Sequence, residues 1–209
     1  MKVGVALADV CAGKNAAIAI LAGLGARDRL GPADRMLTVS LAHSATAALV
    51  NVAQNALVTG VEPARWGNAH PNLVPYQLFE AADRPFILAV GNDAQWAACC
   101  RALERPDLAA DPRFVRNAGR VEHRGELIPA LSETLRTRRA AEWLERLEGH
   151  GVPAGIVRRV TEALAEVQAD PKTGIAPSIP GTVRLPPPRL DEHGALVRKL
   201  GWAAFDEVR

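Results

Sequence analysis

At 209 residues, with 48% apolar residues, 23% charged residues and a net charge of +2, the chain has an ordinary soluble globular composition and enough length for one or two domains. Its arginines are scattered and no basic run alternates with aromatic residues, which removes the electrostatic case for a nucleic-acid partner. Cys11, Cys99 and Cys100 are odd in number and two are adjacent, so neither a disulfide framework nor a metal-ligand spacing emerges, and a reducing cytoplasm is the expected compartment.

The first element is a helix over Val10 to Arg27, apolar nearly all round and therefore expected to be buried. Asp9 and Lys14 interrupt the apolar stretch where a leader would keep its centre, and the run Ala16 to Ala26 falls short of the ~20 residues of a membrane span. No membrane association is expected. Gly31-Pro32 breaks the chain, and Met36 to Ser40 reads as a short buried strand. A second Ala-rich helix follows over Ala42 to Val58, stopped by Gly60 and Pro63. Residues 61–75 show turn signals without periodicity and form a loop or linker.

Phe86 to Val90 is the clearest strand, and Asn92 or Asp93 then caps a helix running to Glu104. A Pro- and Asp-rich connection spans Arg105 to Asn117. Two helices follow, over Arg124 to Arg136 and Ala140 to Glu148, the second with Ala141, Leu144 and Leu147 on one face. Gly151 to Val157 is extended, Thr161 caps a short helix to Gln168, and prolines and glycines make 170–189 a connector. A last helix over Asp191 to Leu200 ends at Gly201. Helices alternating with isolated strands indicate α/β or α+β.

General catalytic motifs are scarce: there is no phosphate loop, no G-x-G-x-x-G, no G-x-S-x-G and no paired histidines for a metal. Four stretches, however, occur together and in order. They are Lys2 to Gly13 (KVGVALADVCAG); Gly67 to Asn72 (GNAHPN) continuing through Val74-Pro75-Tyr76-Gln77 to Ile87–Asn92; Gly151 to Gly155 with Thr161 to Leu164; and Pro186 to His193. In this combination the chain resembles the class III CoA-transferases, the family of formyl-CoA transferase and crotonobetainyl-CoA:carnitine CoA-transferase.

The resemblance implies an α/β protein with an incomplete Rossmann-like large domain, contributed by residues 1–60 and 176–209, and a smaller α/β domain over 61–175. It implies that Asp9 is the nucleophile of CoA transfer between an acyl-CoA and a free carboxylic acid. It places Asn68 and His70 on a loop over the acyl group, without the glycine run of formyl-CoA transferase, and leans toward a dicarboxylate or carnitine-like substrate. No permanent cofactor is implied; the CoA thioester is a substrate. An interlocked homodimer is the implied assembly. Family chains are about twice as long, so the chain corresponds to a C-terminal half and is expected to be inactive alone. Gln168 to Leu185 is also shorter than the family pattern.

Read on spacing alone, Asp9 is a helix N-cap, worth about 1 kcal/mol, and a cap is compatible with a nucleophile because a helix N-terminus favours the ionised carboxylate. Asp93 falls near an acidic catalytic residue of the related alpha-methylacyl-CoA racemases, although its place at a helix start also makes it a cap. A racemase and a non-catalytic remnant or interaction module are the alternative functions. The former would exchange an α-proton by acid–base chemistry.

Overall fold

The computed structural model describes residues 4–171, 174–175 and 187–204. Its contacts divide into two compact units, 1–155 and 156–209.

Helix α1 covers Leu7–Ala26, three residues earlier than expected, because nothing after Gly4 stops the helix and Asp9 and Lys14 are absorbed into it. At 20 residues it is long and apolar enough, by length and composition, to cross a membrane, unlike the shorter run read from the sequence. The expectation of burial does not hold for this chain: α1 has no buried residue, and Ile18, Leu21 and Leu24 are more than half exposed. Met36 to Ser40 is extended but forms no strand, since no neighbouring strand offers its backbone a ladder.

The second Ala-rich helix is in fact two, α2 (Leu41–Ala47) and α3 (Asn51–Thr59). Ser40 caps α2, its hydroxyl accepting from the His43 N–H. Asn15 of α1 donates to the Ser44 hydroxyl at 3.0 Å, tying α1 to α2. Between α2 and α3 the chain turns through Val50 at φ 44° and ψ −112°, a corner of backbone space that suits glycine and is rare for a β-branched residue. Gly60 ends α3 in the left-handed conformation, the usual glycine stop.

Strands β1 (Tyr76–Glu80) and β2 (Pro85–Ala89) form an antiparallel hairpin with Tyr76 opposite Ala89 and Glu80 opposite Pro85. β1 was not anticipated as a strand, being short and directly behind Pro75. Along β2 and into Val90, Phe86, Leu88 and Val90 are fully buried while Ile87 faces outward, the two-residue period of a half-buried strand. A short third strand, β3 (Ala154–Ile156), completes the sheet in the order β1-β2-β3.

Helix α4 (Asp93–Ala102) starts where expected, with the Asn92 side chain accepting from the Gln95 N–H at 2.8 Å. Short helices α5 (Pro106–Ala110) and α6 (Asn117–Glu122) occupy what reads as connection in the sequence; at five and six residues they are too brief for a periodic signal. Next come α7 (Arg124–Leu135), with Leu127, Leu131 and Leu135 buried along one stripe, and α8 (Ala140–Gly149), with Ala140, Trp143 and Leu147 buried. The Asp83 carboxylate in the β1–β2 turn accepts from the Ala140 N–H at 2.8 Å and so caps α8 from a distance. These stripes close on Phe86, Leu88, Trp96, Cys99 and Cys100 to make the core. Burial raises both thiols, Cys100 to about 12, so neither is a thiolate nucleophile at neutral pH.

Strand β3 (Ala154–Ile156) is followed, in the 156–209 unit, by α9 (Val160–Glu166) and α10 (Gly194–Leu200). Arg159, not Thr161, is the N-cap of α9, and the Glu162 carboxylate returns to accept from its N–H at 2.8 Å. Most of the connector over 170–189 lies outside the described residues.

Candidate active site

Asp9 is the third residue of α1. Ala6 occupies the N-cap position with no side-chain bond, so the capping role read from spacing is replaced by a place within the first turn. The Asp9 side chain is exposed.

The loop 61–75 is held by its own hydrogen bonds and by helices α6 and α7. The Asn68 Oδ1 accepts from the Leu78 N–H at 3.0 Å, which pins the loop to β1. His70 Nδ1 accepts from the N–H groups of Asn72 (3.0 Å) and Leu73 (3.1 Å), and its ring stacks on Tyr76 with centroids 5.2 Å apart. Its backbone N–H donates to the Tyr76 carbonyl at 2.9 Å.

Three side chains spaced along the α6–α7 segment then grip the loop backbone. Asn117 Oδ1 accepts from the Val74 N–H, and its Nδ2 donates to the Asn72 carbonyl at 2.8 Å. Arg120, fully buried, donates to the Val74 carbonyl at 2.7 Å. Arg124 donates to the His70 and Pro71 carbonyls at 3.1 and 3.0 Å while its guanidinium lies 4.5 Å from the Trp66 ring centroid. Gly119 lets α6 lie close against the Arg113 backbone that precedes it, because a Cβ at that position would collide with the Arg113 carbonyl oxygen. Sequence reasoning missed all three clamp residues. Their spacing of three and four was the available signal, but it looks the same as a solvated polar face.

Asp93 anchors the clamp from α4. It accepts from the Asn117 N–H (2.9 Å), Arg120 (3.0 Å) and Arg116 (3.3 Å). Burial would raise its pKa, but the bonds from Arg120, Arg116 and Asn117 more than offset that and hold it below the ordinary carboxylate value. Burial lowers Arg120, though from a value so far above neutrality that the pair stays ionised.

Trp66, Pro71 and Asn72 of the loop, with Val52, Asn55 and Thr59 of α3 and Ala118 and Val121 of α6, wall an open and largely apolar groove of about 620 Å³. Asn55 and Asn72 exchange reciprocal amide bonds of 2.7 and 2.9 Å at its edge. Asp9, Asn68 and His70 are not among its walls, and among the described residues no hydrogen bond joins Asp9 to either loop residue. No cluster of three or more His, Cys, Asp or Glu side chains that could hold a metal occurs among the described residues.

The architecture is similar to a solved CaiB/BaiF family protein from Brucella suis, with a TM-score of 0.71 and 34% identity over 95% of this chain and 56% of that one. In sequence, the chain is 34% identical over 213 residues to the acetyl-CoA:oxalate CoA-transferase of Acetobacter aceti, covering 94% of this chain and 54% of that protein. It is 37% identical over 165 residues to the succinyl-CoA:glutarate CoA-transferase of Mus musculus, covering 79% and 38%. The chain thus spans about half, or less, of the length of the curated relatives it matches. Residues 1–194 match the model of CoA-transferase family III. The chain belongs to that family.

Proposed function

We propose that this chain supplies the carboxylate acylated during CoA transfer between an acyl-CoA and a free dicarboxylic acid, with Asp9 as the nucleophile. The observation that carries the reading is the place of Asp9 in the first turn of α1 within a chain that matches the family over residues 1–194. The Asp9 carboxylate attacks the thioester carbonyl and CoA thiolate leaves, giving a mixed anhydride. The thiolate then attacks the aspartyl carbonyl, which releases the donor acid and leaves an aspartyl-CoA thioester. The acceptor carboxylate reverses both steps and departs as its CoA thioester. A carboxylate suits this role because it is nucleophilic at neutral pH and becomes a leaving group once acylated.

In this reading Asn68 and His70 border the acyl group, and residues 1–60 and 176–209 belong to a large domain whose remainder is a further polypeptide segment. The assembly is an interlocked homodimer in the cytoplasm, and the 209 residues alone are inactive. The dicarboxylate class is supported by relatives named for oxalate and glutarate. The racemase alternative is weakened by Asp93, whose two oxygens are taken up by Asn117, Arg120 and Arg116.

The test is to incubate the chain with succinyl-CoA, alone and with the rest of the family fold supplied, and then trap with hydroxylamine. A hydroxamate on the peptide carrying Asp9 is expected only in the supplemented reaction. A hydroxamate elsewhere with Asp9 untouched removes the assignment, and no acylation in either reaction favours the non-catalytic alternative.

A further inference from the structure

His70 sits in an unusual electrical and geometric setting for a histidine. Two backbone N–H groups, from Asn72 and Leu73, point at Nδ1, so that nitrogen must be an acceptor and cannot carry a proton of its own. The neutral ring therefore carries its proton on Nε2. Protonating Nδ1 would cost both backbone bonds, and the groups facing the ring oppose a positive charge. Burial lowers its pKa below 6.5, and the Arg124 guanidinium on α7 lowers it further. From β1 the ring meets Tyr76, stacked at 23°. His70 Nε2 has no hydrogen-bond partner among the described residues. The ring belongs to the loop whose Trp66, Pro71 and Asn72 wall the groove beside it.

We propose that His70 is a hydrogen-bond donor of fixed tautomer, its Nε2–H serving a carboxylate or thioester carbonyl oxygen of the bound acyl group, and that Arg124 is its positioning residue. The proposal rests on the reading that this loop borders the acyl group, and it narrows it: His70 is neither a general base nor a metal ligand, since either role needs a lone pair at Nε2. Arg124 acts through the backbone. By holding the His70 and Pro71 carbonyls it fixes the turn that aims the Asn72 and Leu73 N–H groups at the ring.

Long-range proton–nitrogen spectra of the imidazole rings in the 209-residue chain read the tautomer directly. His70 should keep Nε2–H and an unprotonated Nδ1 from about pH 7.5 to 9. A proton on Nδ1, or full titration within that window, overturns the proposal. Adding glutarate in one arm and acetyl-CoA in the other should move the Nε2–H resonance downfield, and the arms tell a free carboxylate from a thioester carbonyl; silence in both overturns the donor role. Arg124→Gln should raise the His70 pKa toward 6.5, and Arg124→Lys should restore it; an unmoved pKa in Arg124→Gln removes Arg124 from the proposal. In His70→Asn the shorter side chain can still accept from the turn, as Asx turns do, but offers nothing at the Nε2 position. Backbone protection of Asn72 and Leu73 should survive while glutarate affinity falls roughly tenfold, as for loss of one charge-assisted bond. Unchanged affinity overturns the proposal. If Asp9 fails to acylate while glutarate still moves the His70 signal, the transferase reading falls and this one stands; acylation with a silent His70 does the reverse.

Discussion

Replacing Arg120 by leucine should destabilise the 1–155 unit by about 2–4 kcal/mol, because it removes the buried member of a half-buried ion pair and leaves buried carbonyls without donors. Leucine fills part of the space, but it leaves the carbonyls of Val74, Phe114 and Val115 without the donors that lie 2.7, 2.8 and 3.2 Å away. It also removes one of the three donors to the half-buried Asp93 carboxylate, leaving it the Asn117 N–H and Arg116, and takes away the cation 5.2 Å from the Trp96 ring. Arg120→Lys keeps the charge without the planar fork and should fall between. Arg116→Ala is the control: its side chain is 81% exposed, so the loss should stay within about 0.5 kcal/mol. Urea unfolding followed by tryptophan fluorescence distinguishes these outcomes, because Trp96 is buried beside the network. Parent-like stability in Arg120→Leu would mean the clamp does not hold the loop. The same network has an acid limit. Asp93 titrates lower when folded than its ordinary 3.8, so its contribution is complete above that value and lost as pH falls through the lower folded one.

Asp9→Asn should abolish transfer, by a factor on the order of 10³–10⁶, the scale seen when a covalent nucleophile is deleted. Stability should change by no more than about 1 kcal/mol, the helix-dipole contribution of a surface carboxylate, because Asp9 is exposed within the first turn of α1. The measurement is movement of CoA from succinyl-CoA to labelled glutarate by the supplemented protein, alongside thermal unfolding of both forms. Transfer at the parent rate by Asp9→Asn would place the nucleophile elsewhere.

Elements whose signals are local were legible. The Asn92 cap announces α4, and the apolar run through Phe86, Leu88 and Val90 announces β2. Elements that depend on partners were not. Met36 to Ser40 has a strand's residues but no neighbouring strand, and Tyr76 to Glu80 becomes one only because β2 pairs with it. At the candidate site, Asp9, Asn68 and His70 came from the family pattern, which carries chemistry but not packing. Asn117, Arg120 and Arg124 grip a loop 43 to 54 residues earlier in the chain, and no local periodicity announces so distant a partner.

The bend at Val50 has an energetic consequence. Nothing in the sequence between Leu41 and Thr59 breaks a helix, as no Gly or Pro occurs there, yet a valine is held at positive φ with its side chain 70% exposed. Such a conformation costs about 1–3 kcal/mol. Val50→Gly should therefore raise the melting temperature of the chain, and a lower one would show that no strain resides there. Because the chain nevertheless adopts the bent form, packing elsewhere must offset that cost, and any partner that straightened 48–50 into a continuous helix would have to supply the difference out of its own contacts.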